Sequence, residues 1–185
     1  YETNNVYSLP GSASLVKRLK SELSRLKKEL KDEDQFVNEL DDGEKFRAVP
    51  LELITNVPPD VVNKPFTIGL WVTPRSGNGV AVAMGGGSHG FTLFLREGVA
   101  HFVIRSAGEL FMVKAREALP LGQRAHIVGV LRANGNIQVI INGKAAGSAP
   151  GGPVTAKPRD GFAIGSDPGS AVGPYEVPFA FDGTT

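Results

Sequence analysis

Cysteine is absent from the 185 residues, which removes disulfides, thiolate metal sites and cysteine nucleophiles together. The compartment stays open on that ground, because many secreted domains carry no disulfide. No apolar run approaches the roughly 18 residues of a membrane-spanning helix. A strong charge of either sign is missing too: 20 Lys and Arg against 19 Asp and Glu leave a formal +1. That balance argues against nucleic-acid binding driven by bulk positive charge. The chain opens at Tyr1 without Met or a signal-peptide pattern, so it reads as a piece of a longer polypeptide.

What is present is a turn-rich, core-forming composition. Hydrophobic residues make up 41%, enough to argue against wholesale disorder. The 23 glycines and 13 prolines suit many short strands. Charge is unevenly placed along the chain. Residues 12–31 hold seven basic side chains and two acidic ones, and residues 32–45 hold seven acidic and only Lys45 basic. A basic segment, an acidic hinge and a near-neutral body follow one another.

In the basic segment Leu15, Leu19, Leu23, Leu26 and Leu30 recur at helical spacing, and Val16 widens their stripe. Pro10-Gly11 breaks the chain before it, and Ser12 or Ser14 can cap its free N–H groups. Lys27, Lys28 and Lys31 suit the negative end of the helix dipole. The pattern predicts one amphipathic helix over 12–31. Its apolar face lacks the Trp and Phe of a membrane-lying helix, and it spans barely two heptads, short for a coiled coil. Docking on its own protein is the plainer expectation, because a lone helix of about 20 residues is marginal in water.

From Val49 the period drops to two. Phe66–Val72, Val80–Met84, Phe91–Leu95, Val99–Ile104, Leu110–Val113, Ala125–Leu131 and Ile137–Ile141 read as strands. Phe162–Ile164 and Phe179–Phe181 add two late ones. Asn134-Gly135 and Asn142-Gly143 carry the residues of type I′ turns. Short strands joined by turn chemistry predict a mainly β protein, an antiparallel β-sandwich behind one helix.

Thr67-Ile68-Gly69-Leu70-Trp71-Val72 resembles the "F-T-[IVL]-x-x-W-[IVF]" strand of concanavalin A-like, laminin G-like jelly rolls. Gly90-Phe91-Thr92-Leu93, Arg124–Val130 (with Arg124 where Trp is usual), Gln138–Lys144 and Phe162–Ser166 resemble that family's later pieces, in the same order. The resemblance covers about residues 49–185. The family usually closes with a strand after Phe181-Asp182-Gly183; here that strand is missing, or Leu51–Ile54 completes the sheet. The front end, Tyr1-Glu2-Thr3-Asn4-Asn5-Val6-Tyr7, resembles the "D-P-x-E-x-x-N-L" end of formylglycine-dependent sulfatases. The two resemblances imply the C-terminal fragment of a sulfatase. Residues 1–34 would be its helical tail, 35–48 an acidic linker and 49–185 a jelly roll. They also imply an extracytoplasmic location, periplasmic or secreted, with the sulfatase's catalytic domain in the same polypeptide as partner.

Catalysis within the chain is not expected. The sulfatase signature C/S-x-P-x-R is absent, since Ser8-Leu9-Pro10 and Ser148-Ala149-Pro150 lack its Arg. The parent would use formylglycine and calcium; this chain is expected to need no cofactor of its own. Jelly-roll glycosidases need two carboxylates across the bond, usually as E-x-D-x-x-E, and Glu97, Glu109, Glu117, Asp160, Asp167 and Glu176 are scattered instead. No nucleophile elbow accompanies His89, His101 or His126. Gly85–Ser88 is not followed by Gly-Lys-Ser/Thr, so it reads as a loop between strands. Asp160, Asp167 and Asp182 lie near loops where oxygen ligands can hold Ca²⁺, but three acids apart in sequence do not make a site. The expected role is a non-catalytic accessory module that binds sulfated or neutral polysaccharide, or docks on the catalytic domain. Its alternatives are a purely structural sandwich and an independent glycosidase. Arg75, Arg96, Arg105, Arg116, Arg124 and Arg132 could meet sulfate. His101 and Arg105, sharing one face of a strand, are the one binding pair that can be placed.

Overall fold

A computed structural model describes residues 58–185 together with Lys20, Ser21, Ser24 and Arg25. The described residues fall into two units divided between Ala48 and Val49. In the first, the four described residues are helical and exposed, and the Ser24 hydroxyl donates to the Lys20 carbonyl at 2.9 Å. The leucine stripe, the acidic linker, the sulfatase-like front end and Leu51–Ile54 lie outside the described residues.

The second unit is the expected sandwich. Its strands are β1 (Phe66–Pro74), β2 (Gly79–Gly85), β3 (Gly90–Arg96), β4 (Val99–Ser106) and β5 (Glu109–Ala118), then β6 (Ala125–Leu131), β7 (Asn136–Ile141), β8 (Lys144–Pro150), β9 (Phe162–Ile164) and β10 (Gly183–Thr184). They form two sheets, ordered β10-β1-β6-β7-β8 and β5-β4-β3-β2-β9, and neighbouring strands pair antiparallel. Between them lies one core. The first sheet contributes Ile68, Leu70, Val72, Ile127, Leu131, Ile137 and Val139, and the second contributes Phe91, Leu93, Leu95, Phe102 and Ile104. On β4 the inward residues Ala100, Phe102 and Ile104 alternate with His101, Val103 and Arg105, as period two requires.

β2 and β3 depart from simple alternation because they are buried along nearly their whole length. A second apolar cluster explains this. Val80, Ala83, Phe94 and Val103 on the outer face of the second sheet pack with Val172 and with half-buried Leu110, Tyr175 and Phe179. Strands covered on both faces read as continuous apolar runs.

The turns sort by backbone conformation. Asn142 and Gly143 both take positive φ, 48° and 79°, so β7 and β8 meet in the expected type I′ turn. At Asn134-Gly135 only Gly135 does, at 83°, and Arg132 N–H donates to Asn136 C=O at 2.8 Å. That is a longer loop with glycine alone in the left-handed position, a correction to the type I′ expectation. Phe179–Phe181 is likewise not a strand. Phe179 sits at φ 37°, and only Ala180 bridges to β2, at Val80. The sheet edge is instead extended by Gly183 and Thr184, paired with Pro74 and Thr73.

Gly129 on β6 faces the Phe102 ring so closely that a methyl group there would overlap it. Gly129→Ala is expected to destabilise the sandwich by about 1–3 kcal/mol through overpacking. A urea titration of the chain checks this; an unchanged midpoint would mean that the two sheets do not approach through this contact.

Candidate functional site

The outer face of the second sheet carries the predicted pair, and the chain itself covers it. His101 and Arg105 do share one face of β4, with fully buried Val103 between them. At about 3.3 Å per residue they stand roughly 13 Å apart. Neither is aimed at open space. His101 stacks on Phe94 at 4.8 Å and 12°, and its Nδ1–H donates to Val99 C=O at 2.9 Å. Arg105 donates through Nε to Val172 C=O and through Nη1 to Gly108 C=O, both at 2.9 Å.

Residues 165–182 form the cover, a strap tied down by polar groups. Arg96 Nη2 donates to Pro174 C=O, so two arginines of the sheet hold strap carbonyls. Asp167, only 2% exposed, accepts from Val172 N–H at 3.2 Å and from the Tyr175 hydroxyl at 2.7 Å. That hydroxyl also lies 3.0 Å from Thr92 Oγ1, whose own hydroxyl donates to Val82 C=O. Burial pushes the Tyr175 phenol well above its ordinary value, so it stays a proton donor. Tyr175 stacks on Phe179 at 5.2 Å and meets Phe94 edge-on at 5.1 Å.

The other arginines disperse. Arg124 lies 4.3 Å over the Trp71 ring, and Trp71 stacks on His126 at 4.9 Å; Trp71 is therefore sheet-face packing. Asp160, Asp167 and Asp182 also fail to converge. Asp160 accepts from Ser170 N–H and hydroxyl at 2.8 and 2.7 Å, while the Asp182 carbonyl accepts Arg75 and Ser76 N–H. Among the described residues no group of three metal-ligating side chains assembles.

The open surface lies at one end of the sandwich. Phe66 at the start of β1 contacts Phe91 at the start of β3, centroids 5.0 Å apart, so this end holds the β2–β3 loop and the β6–β7 turn together. Residues 151–161 cross it. Val154 C=O accepts Asn63 N–H at 3.0 Å, and buried Val154 bridges Val62. Next, Thr155 Oγ1 lies 2.9 Å from Ser106 Oγ and 3.2 Å from His89 Nε2. His89 Nε2 also accepts Ala107 N–H at 3.1 Å, which puts the ring proton on Nδ1. Beside this crossing an open cleft of about 200 Å³ has Asn63, Lys64 and Arg132 among its polar lining and Pro65, Leu131 and Pro153 among its apolar lining. Apolar walls with a few polar groups are the usual make-up of a small-ligand site.

Two carboxylates flank this end. Asp60 is held below the ordinary carboxylate range first by its hydrogen bond from Lys64, then by Val62 N–H and the Lys64 charge, with a further contribution from Lys157. Asp160 is held low by the Ser170 N–H first, then the Ser170 hydroxyl. The cleft residues come from positions 63–65, 131–135 and 153. Sequence reading named Arg132 only as one of six arginines, and Asn63 and Lys64 carried no motif. The weak signal was their place immediately before a signature strand.

A family model described as the concanavalin A-like lectin/glucanases superfamily matches residues 52–183. Mouse laminin alpha1 chain, domains LG4-5, superposes with a TM-score of 0.55 at 17% identity, over 65% of this chain and 33% of that one. The chain thus spans a third of that structure's length. The CBM40 of Ruminococcus gnavus IT-sialidase, bound to α2,3-sialyllactose, gives 0.51 at 16% identity over 64% and 70%. At such identities the likeness is one of fold. No curated protein sequence matches the chain.

Burial comes first in holding both His101 and His126 below the ordinary 6.5. Arg96 and Lys114 add to it at His101, against the Val99 hydrogen bond, and Arg124 adds to it at His126. A histidine depressed in the fold binds more protons when unfolded, so its stability contribution is present above about 6.5 and is lost as pH falls below that value. Thermal midpoints measured from pH 7.5 to 5 should therefore decline, and His101→Phe should flatten the decline. An unchanged slope in that variant would show that His101 is not a source. Tyr175→Phe leaves Asp167 buried without its hydroxyl donor and should cost about 1–3 kcal/mol in a denaturant titration; a neutral result would show that the strap is held by packing alone.

Proposed function

The chain belongs to the concanavalin A-like lectin/glucanase superfamily, and from that premise we propose that its sandwich is a non-catalytic glycan-binding module. The observation that carries the reading is the division of its surface. The outer face of the second sheet is occupied by the strap, whereas the end cleft leaves Asn63, Lys64 and Arg132 around an apolar floor. Prolines and leucine can meet the C–H faces of a sugar, while the amide, ammonium and guanidinium bond its oxygens. The R. gnavus module, bound to sialyllactose, supports the class of ligand. The non-catalytic part rests on chemistry: two carboxylates near the strap, Asp160 and Asp167, are already engaged by Ser170, Val172 and Tyr175.

The finer reading makes this module the accessory tail of an extracytoplasmic sulfatase. It is supported by the Tyr1–Tyr7 motif alone, and no sulfatase stands among the relatives described above. An upstream C/S-x-P-x-R in the parent gene would bear it out. Its absence would leave a free-standing binding module.

Titrating the ¹⁵N-labelled chain with a panel of oligosaccharides tests the binding reading. Millimolar or tighter binding is expected, with amide shifts clustered at residues 63–65, 131–135 and 151–155. Asn63→Ala should weaken binding about tenfold, the equivalent of one well-made hydrogen bond. Shifts confined to the strap, or no binding by any sugar, would overturn the assignment in favour of a purely structural sandwich.

A further inference from the structure

The charge around the cleft is lopsided in a nearly neutral chain. Lys64 and Arg132 line it, and no carboxylate does. Lys157, on the crossing segment, stands close enough to Asp60 to help lower its pKa, which brings a third cation to the same end. Asp60 is the one carboxylate in this group, and its ion pair with Lys64 is exposed, with 66% and 57% of the two side chains accessible. An exposed pair of this kind contributes little and exchanges readily for a competing anion. Arg132 spends Nη2 on Gln138 at 3.0 Å, a bond that orients the guanidinium, which has five N–H donors in all.

We propose, resting on the glycan-binding reading, that the cleft selects acidic sugars and that Lys64 and Arg132 recognise the anionic substituent. The chemistry is that of a carboxylate or sulfate oxygen receiving charge-assisted hydrogen bonds from an ammonium and a guanidinium. Pro65, Leu131 and Pro153 take the apolar face of the ring that bears the substituent. Lys157 acts at longer range, raising the local concentration of anionic ligand and making the affinity depend on salt.

Calorimetry on the full chain with three hexasaccharides tests this: oligogalacturonate for the carboxylate, chondroitin sulfate for the sulfate and cellohexaose as the neutral control. At low salt at least one acidic ligand should bind about tenfold tighter than the neutral one, with the advantage shrinking as salt rises. Lys64→Gln, an exposed change that leaves the core alone, should remove about fivefold or more of acidic binding and leave neutral binding within about twofold. Arg132→Lys keeps the charge and loses the planar fork, so it should retain part of the acidic preference where Arg132→Gln does not. Equal affinity for all three ligands, or a Lys64→Gln loss that is the same for acidic and neutral sugars, would overturn the acidic selectivity while leaving glycan binding standing. No binding by any of the three would overturn both.

Discussion

Phe94 sets the constraint on which the rest of this sandwich depends. It points away from the inter-sheet core yet is fully buried, together with Val80, Ala83 and Val103 on the same outer face. A sheet apolar on both faces cannot leave one of them in water, since each large side chain withheld from burial forgoes about 1.5–3 kcal/mol. The chain supplies the missing layer from residues 165–182. Covering backbone with backbone then raises a second problem, because strap N–H and C=O groups enter a partly dry space and must be paired. Arg96, Arg105, Asp167 and Tyr175 meet that demand. No buried side-chain polar atom among the described residues is without a partner.

This arrangement decides where function can lie. His101 and Arg105 sit where a binding pair on a sheet face would sit. Their ring and guanidinium are nevertheless engaged with Phe94, Val99, Val172 and Gly108. With that face given to packing, the open concavity described here is at the end of the sandwich. The 151–161 segment crosses there from the first sheet to the second and brings Pro153 beside Lys64 and Arg132. One segment thus closes the core with Val154 and walls the cleft with its neighbour.

Much of the fold was legible residue by residue. Phe66–Val72, Phe91–Leu95 and Ala125–Leu131 announce themselves by β-rich runs between turn residues, and Asn142-Gly143 by its tolerance of positive φ. β8 was not legible. Lys-Ala-Ala-Gly-Ser-Ala-Pro has none of the branched or aromatic residues of a strand, and it is extended because β7 offers it a ladder. Phe179–Phe181 failed the other way. Its alternation is real, but Phe179 serves the outer cluster and Phe181 the inner core, from either side of a residue in the left-handed region.

The sequence alone determined the class of this protein: two-residue periodicity, turn glycines and apolar runs specify an antiparallel sandwich, because strand geometry is written in consecutive residues. It also withheld every catalytic string that such a fold could have carried. Only the tertiary structure decided which faces are shut and which end is open. Asn63, Lys64, Arg132 and Pro153 share no local pattern. They meet because the sheet order and one crossing segment bring β1, β6 and the chain after β8 to the same edge, a matter of packing between residues far apart in sequence.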